Sequence, residues 1–205
     1  KHRPMHPTPI FGKTARDTAL AFARERAFGI LAVSTEAAPL LAHVPFLLSE
    51  DGQSAGLHLV RSNPICRACA DSVPARLEVS GPDGYVSPDW YGIDDQVPTW
   101  NYVAVAFTGR LVAQPVETLD ALLAAQSAAY ETRLPKTPWT MDKLTTDTHA
   151  RFLRMILPFR LEIEDMQSTW NLNQNKPDAA RTAAARAIPG GIGQELEALA
   201  RLMQD

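Results

Sequence analysis

The sequence predicts an α+β fold in which about six or seven antiparallel strands form a small barrel with helices at its periphery. Short β-prone stretches follow one another through much of the chain. Their connections are short and rich in glycine, proline and charged residues, which favours antiparallel neighbours. With 205 residues, 45% of them hydrophobic, the chain is long enough to bury one sizeable core.

The first half of the chain begins with a helix and continues mainly as strands. Thr14 and Asp17 favour a helix start, and Gly29 ends the helical pattern. Alternating apolar residues then predict strands, and the GPDG sequence at residues 81–84 predicts the turn of a hairpin. The predicted elements are a helix at 15–26, strands at 30–35, 40–48 and 55–60, a short helix at 65–70, and hairpin strands at 75–80 and 85–87.

The second half alternates long strands with helices. A long β-prone run is followed by leucines at helical spacing, and later by an alternation of apolar and charged residues typical of a half-buried strand. The predicted elements are a strand at 100–112, helices at 117–130 and 141–153, a strand at 159–164, and helices at 178–187 and 194–203. We expect residues 1–178 to form one domain and residues 179–205 a C-terminal helical arm that contacts the domain or a second subunit.

Charge and hydropathy exclude several classes of protein. The net charge of −3 gives no general attraction to nucleic acid or to anionic membranes. DNA stays a possible partner that charge does not support. No apolar run approaches the roughly twenty residues that span a bilayer, and we expect a cytoplasmic protein. Cys66 and Cys69 are the two cysteines, and the sequence has no second pair of cysteine or histidine ligands that would complete a zinc site with them. We therefore predict two thiols on a short helix and no metal.

Aromatic and hydrogen-bonding side chains cluster around two prolines where the long strand begins. The segment VPTWNYV at residues 97–103 contains Thr99, Trp100 and Asn101, and YVSP with WY precedes it at residues 85–91. Aromatic rings offer flat apolar area for a planar ring system, and the polar side chains offer hydrogen bonds at its edge. This pattern favours a ligand wall. The alternative is that Trp90, Trp100 and Tyr102 are ordinary core aromatics.

A second polar segment, HLVRSNP at residues 58–64, lies between a predicted strand and a short helix. Arg61 offers a planar fork of donors, and Ser62 and Asn63 add neutral ones. These residue types suit a phosphate group. The alternative is an ordinary strand end that faces solvent.

Seven ordered blocks resemble the PaiB family of FMN-binding transcriptional regulators, which are relatives of the pyridoxamine-phosphate-oxidase-like split barrels. The blocks are FG at 28–29, HVPFLL at 43–48, HLVRSNP at 58–64, GP at 81–82, YVSP with WY at 85–91, VPTWNYV at 97–103 and QNK at 174–176. The resemblance covers roughly residues 5–178. It implies a split barrel, a homodimer, FMN bound at the subunit interface, and negative regulation of transcription.

The resemblance also implies a set of FMN-binding residues. Arg61, Ser62 and Asn63 would face the phosphate, His58 the ribityl chain, and Thr99, Trp100 and Asn101 the flavin ring. His43 lies on the strand that runs behind the ring in related barrels, and a buried core histidine is its alternative role. Gln174 and Lys176 belong to a closing segment near the cofactor. Residues 171–173 read NLN where the family more often has KLS, so this segment has lost a charge.

Two further functions stay open from the sequence. One is an FMN-dependent reductase or oxidase that uses NADH or NADPH. The other is a haem-binding split barrel with His43 or His58 as the axial ligand. No catalytic residue is predicted, because a flavin carries its own redox chemistry and needs no dedicated acid or nucleophile.

Overall fold

A computed structural model describes residues 5–204, so residues 1–4 of the predicted domain and residue 205 of the predicted arm lie outside the described part. The strands are β1 (Phe28–Val33), β2 (Leu40–Leu48), β3 (Ser54–Val60), β4 (Ser72–Val86), β5 (Thr99–Ala113), β6 (Ile156–Asn171) and β7 (Gly193–Gln194). The α-helices are α1 (Arg16–Arg26), α2 (Pro64–Ala68), α3 (Leu119–Glu131), α4 (Thr146–Met155), α5 (Asp178–Ala187) and α6 (Leu196–Leu202). Short 3-10 helices occupy Pro9–Gly12, Pro88–Tyr91, Val116–Thr118, Met141–Lys143 and Ile188–Gly190.

The seven strands form one antiparallel sheet with the order β1-β2-β3-β6-β5-β4-β7. Strand β1 also pairs with β4, which closes the first six strands into a barrel. Ile30 of β1 lies opposite His43 of β2 on one side and Glu78 of β4 on the other. The predicted α+β fold with an antiparallel split barrel is confirmed.

The chain divides into two compact units. The barrel unit comprises residues 22–79 and 107–166, and the second unit comprises residues 5–21, 80–106 and 167–204. Side chains alternate across the strands of the barrel unit, and every second one points inward. Its interior is filled by Leu31, Leu57, Leu77, Phe107, Leu111, Phe159 and Leu161, each almost fully buried.

Most predicted elements occur close to their predicted positions, but the hairpin is wrong. Residues 81–84 continue a single strand, β4, instead of turning. Asp83 and Gly84 pair with Gln194 and Gly193 of β7. The φ angle of Gly84 is not positive, so its backbone does not adopt the left-handed conformation of a glycine turn. The backbone there is held extended because a partner strand takes up its hydrogen bonds.

Two further boundaries differ from the prediction. The last long strand, β6, extends well beyond residues 159–164 at both ends. The helix predicted at 141–153 is a 3-10 turn followed by α4, because the Thr145 side chain caps the new helix by accepting a hydrogen bond from the Thr148 N–H. Within residues 5–204, no helix combines the length and apolar character needed to cross a membrane.

Candidate functional site

The phosphate-suited segment lies in the barrel unit, between β3 and α2. The exposed Arg61 side chain donates from Nε to the Arg154 carbonyl over 3.1 Å, and the Arg61 N–H donates to the Met155 carbonyl over 2.8 Å. Asn63 caps α2, because its Oδ1 accepts from the Ile65 N–H at 3.0 Å. Within the described residues, the terminal guanidinium nitrogens of Arg61 have no hydrogen-bond partner, and Ser62 is exposed. This segment presents free donors to an anion.

His58, on β3, is half-buried and linked to α3. Its Nδ1 lies 3.1 Å from Oε1 of Gln126, whose Nε2 donates to the Gly56 carbonyl at 3.3 Å. Since Oε1 is an acceptor, the hydrogen of the neutral imidazole lies on Nδ1. Burial lowers the pKa of His58, and the hydrogen bond to Gln126 opposes that shift.

Gln126 was missed as a site residue from sequence. It is 3% exposed on a helix whose other spaced residues are leucines, and a buried amide in an apolar stripe is the signal that could have found it.

His43 lies on the outer face of the barrel unit and is exposed, so its alternative role as a buried core histidine is wrong. Its ring stacks on that of Phe28, with centroids 6.3 Å apart and an angle of 27° between the ring planes. Both side chains face away from the barrel interior.

Trp100 is held in the second unit with much of its ring open. It is 45% exposed, its Nε1–H donates to Oδ1 of Asp83 at 2.9 Å, and the Tyr85 ring meets it edge-on at 6.2 Å. The core alternative is therefore wrong for Trp100, while Trp90 and Tyr102 are half-buried. The neighbouring Tyr91 is a buried aromatic at 2% exposure. Trp100 offers a fixed apolar face on which a planar ring can stack.

The neighbours of Trp100 differ in how far they reach the surface. Thr99 is half-buried. Asn101 is fully buried, its Nδ2 donates to Sδ of Met203 at 3.4 Å, and its Oδ1 has no hydrogen-bond partner among the described residues.

The closing segment is fastened within the second unit. The Gln174 side chain accepts from the Leu172 N–H at 2.9 Å and donates to the Trp170 carbonyl at 2.6 Å, so it locks its own loop. Lys176 donates from Nζ to Oε1 of Gln96 and lies over the Tyr91 ring, 5.1 Å from the centroid.

The predicted site residues fall in both units. His43, His58, Arg61, Ser62 and Asn63 belong to the barrel unit, and Thr99, Trp100, Asn101, Gln174 and Lys176 to the second unit. No described hydrogen bond or ring contact joins Trp100 to Lys176. That all ten residues meet around one cofactor stays a prediction.

The two cysteines are free thiols in the barrel unit. Cys66 donates from Sγ to the Val60 carbonyl and Cys69 to the Leu111 carbonyl. Burial raises the pKa of both thiols, which disfavours the thiolate form that acts as a nucleophile. Among residues 5–204, no group of three or more His, Cys, Asp or Glu side chains is arranged to hold a metal ion.

A family model described as "Putative FMN-binding domain" matches residues 5–165, which is most of the chain. The chain belongs to this FMN-binding family. It is 27% identical to the Bacillus subtilis (strain 168) "Protease synthase and sporulation protein PAI 2", over 98% of this chain and 97% of that protein. The chain is thus an FMN-binding split-barrel protein of the PaiB type.

Solved structures share the split-barrel fold with this FMN-binding family member. The FAD and haem binding protein from Mycobacterium smegmatis has a TM-score of 0.58 and 16% identity, covering 89% of this chain and 82% of that one. The flavocytochrome Anf3 from Azotobacter vinelandii has a TM-score of 0.57 and 15% identity, covering 81% of this chain and 72% of that one. At these identities the likeness concerns the fold.

FMN is the cofactor of this family, and each unit by itself has groups that suit one part of it. In the barrel unit, Arg61 and Ser62 have unused donors that suit a phosphate, and in the second unit Trp100 has an open ring face that suits a planar ring. Bound FMN would supply redox chemistry, while the protein supplies binding, orientation and control of access.

Proposed function

We propose that this chain is a cytoplasmic homodimer that holds FMN at its subunit interface and acts as a negative regulator of transcription. The observation that carries the regulatory part is the similarity to the B. subtilis protein along almost the whole length of both chains. That relative is named for protease synthesis and sporulation. Control of gene expression is the activity that this name and the full-length similarity support for the chain.

The dimer is supported by an apolar strip on the outer face of the barrel unit. The β1–β2 strip consists of Phe28, Ile30, Leu41 and His43, which alternate along two paired strands and face the same side. Phe28 is 54% exposed and Leu41 is 62% exposed in the single subunit. Ile30 is half-buried between them, and His43 is the one polar member of the strip. Exposed apolar side chains grouped on one face mark a surface that another protein covers. A second copy, related by a two-fold axis, would cover it with the same strip.

The FMN site is proposed to use Arg61 and Ser62 for the phosphate and Trp100 for the ring. Thr99, Asn101, His43, His58, Asn63, Gln174 and Lys176 complete the proposed site. Of these, Asn63, His58 and Gln174 act by shaping the backbone and fixing neighbours, since their side chains already have protein partners.

An FMN titration tests the phosphate assignment. Arg61→Ala should weaken FMN binding by about 1.5–3 kcal/mol, or roughly ten- to a hundredfold, because one charge-assisted contact is lost. Quenching of flavin fluorescence measures the affinity. Riboflavin, which lacks the phosphate, should bind the wild type and the variant equally.

Arg67→Ala is the matched control, because Arg67 is an exposed arginine on the adjacent helix α2. It should leave FMN affinity unchanged. If Arg61→Ala keeps the wild-type preference for FMN over riboflavin, the phosphate assignment is wrong.

The regulatory role is tested by gel shifts on the DNA upstream of the gene that encodes this chain, with and without FMN. Sequence-specific binding that weakens steeply with salt would support it, because phosphate contacts release counterions. Absence of a shift at low salt, together with steady oxidation of NADH or NADPH by the FMN-loaded protein, would replace regulation with the oxidoreductase alternative.

A further inference from the structure

A cavity of about 340 Å³ lies in the barrel unit, apart from every residue assigned to FMN. It is formed where the ends of α1, β2 and α3 meet. Ala27, residues 46–48 and Ala129 give it an apolar lining, and its polar lining consists of Arg24, Glu25, Tyr130 and Arg133. Its volume is at the lower end of the range of small-molecule sites.

Both arginines of the cavity are held in place by backbone carbonyls. Arg24 donates from Nη2 to the carbonyls of Ser49 and Glu50, at 2.9 and 2.6 Å. Arg133 donates from Nη2 to the Glu25 carbonyl at 2.6 Å. A guanidinium group has five N–H donors, and within the described residues the other donors of these two groups have no partner. Arg24 and Arg133 are exposed, so they stand at the solvent-facing rim of the cavity as two anchored cations with unused donors. Because backbone carbonyls already hold them, little side-chain entropy is lost when an anion binds.

Tyr130 contributes its ring and not its hydroxyl. The hydroxyl donates to the Phe46 carbonyl at 2.8 Å, so its hydrogen is already used. Burial raises the pKa of Tyr130, and the nearby Arg133 charge opposes that shift, so the phenol stays neutral at physiological pH. The ring adds apolar area beside the Arg133 guanidinium.

The charges of the cavity select a ligand with a single negative charge. Arg24 and Arg133 carry two positive charges and Glu25 one negative charge, which leaves one positive charge unbalanced. The planar fork of arginine matches the two oxygens of a carboxylate. We propose that this cavity binds a free monocarboxylic acid with a small aliphatic or aromatic body, whose carboxylate bonds Arg24 and Arg133 and whose apolar body contacts β2 and Tyr130.

A titration of the FMN-loaded protein with sodium octanoate, measured by isothermal titration calorimetry, tests this site. We expect saturable binding of one octanoate per subunit, at least tenfold tighter than binding of 1-octanol, which has the same apolar chain and no charge. Equal binding of octanoate and octanol, or no binding of either, would overturn the proposal.

Two variants with opposite expected effects assign the binding to this cavity. Arg133→Gln should weaken octanoate binding at least tenfold, because it removes one charge-assisted contact. Glu25→Gln should tighten it severalfold, because the competing carboxylate is neutralised while the Glu25 carbonyl that holds Arg133 remains. FMN affinity should stay at the wild-type value in both.

Arg160→Gln is the matched control, since Arg160 is an exposed arginine of the barrel unit that pairs with Glu162 and does not line the cavity. It should leave octanoate affinity unchanged. An affinity that falls equally in Arg133→Gln and Arg160→Gln, or that does not rise in Glu25→Gln, would show nonspecific charge attraction and would overturn the site. Thermal unfolding of each variant confirms that the fold is intact.

Discussion

Gln126 sets the tautomer of the neutral His58 side chain through one amide. Because its Nε2 is committed to the Gly56 carbonyl, its Oε1 must face the imidazole. The imidazole therefore keeps its hydrogen on Nδ1 and leaves Nε2 as an acceptor. Burial lowers the pKa of His58, so the folded protein binds fewer protons there than the unfolded chain does. His58 therefore contributes stability that is present above pH 6.5, the ordinary pKa of its side chain. That contribution is lost as the pH falls through the lowered pKa of the folded state.

Replacing Gln126 by leucine should both destabilise the fold and change the titration of His58. The Nδ1–H and the Gly56 carbonyl lose their partner, which should cost about 1–3 kcal/mol in the free energy of unfolding. The pKa of His58 should fall further, because the hydrogen bond that opposes the effect of burial is gone. Urea unfolding measures the first effect, and NMR titration of the imidazole measures the second.

Gln53→Leu provides the control for this prediction, because Gln53 is exposed and its side chain has no hydrogen bond in the described residues. It should change neither quantity. A His58 pKa that rises in Gln126→Leu would contradict the assigned hydrogen-bond pattern.

The residue types of the candidate site could be read from sequence, but their partners could not. Arg61 and Trp100 are exposed, as a binding role requires, while Asn101, a neighbour of Trp100, is fully buried against Met203. The partner of Asn101 lies about a hundred positions away along the chain. Period-two alternation predicts which face a residue takes, and tertiary packing decides what covers that face.

At the scale of elements, the sequence pattern predicted the helices and strands whose formation depends mainly on residues near one another in the chain. Strand β2 and helix α5 have the predicted bounds, because apolar alternation and an alanine-rich helical stretch suffice for each. The GPDG segment fails because its turn propensity is outweighed by pairing with β7. Strand β7 is only two residues long and distant in sequence, so no local sequence pattern predicts it.

Gly109 shows how closely two long strands of the barrel unit approach. A Cβ atom at this position would lie 1.8 Å from the Glu162 carbonyl oxygen, a backbone atom that cannot move aside without disturbing β6. Gly109→Ala should therefore destabilise the protein by about 3 kcal/mol or more. In a chain of this length that corresponds to a drop in Tm of roughly 6–12 °C, measurable by calorimetry.

Gly190→Ala is the matched control, since no atom lies within 4 Å of the Cβ it would add. Its Tm should stay within about 2 °C of wild type. Equal Tm values for the two variants would mean that β5 and β6 can separate at no cost.

At the scale of the whole molecule, closure of the barrel pairs its strand edges but leaves apolar side chains exposed on its outer face. Pairing of β1 with β4 removes the free sheet edges of the first six strands, which would otherwise invite aggregation. The closed barrel still exposes the β1–β2 strip to water. Sequence alternation could predict β2 with one face outward, but only the homodimer that the family resemblance implies gave a reason for that face to be apolar.

Leu41→Glu should separate the proposed dimer into monomers. Leu41 is 62% exposed in the single subunit, so the change should cost little in the folding of one subunit. In a two-fold dimer it would place two buried like charges at one interface and cost about 2 kcal/mol or more, roughly thirtyfold in the dimer dissociation constant. Light scattering after size-exclusion chromatography measures the molecular mass.

Leu134→Glu makes the same substitution at another exposed leucine, outside the β1–β2 strip, and should remain dimeric.

FMN links this test to the cofactor site, because a ligand at a hundred times its Kd stabilises the protein by about 2.7 kcal/mol. Wild type and Leu134→Glu should therefore gain roughly 5–10 °C in Tm with FMN. Leu41→Glu should lose most of that gain if FMN binds across the interface. A monomeric variant that keeps the full gain would locate the whole flavin site within one subunit.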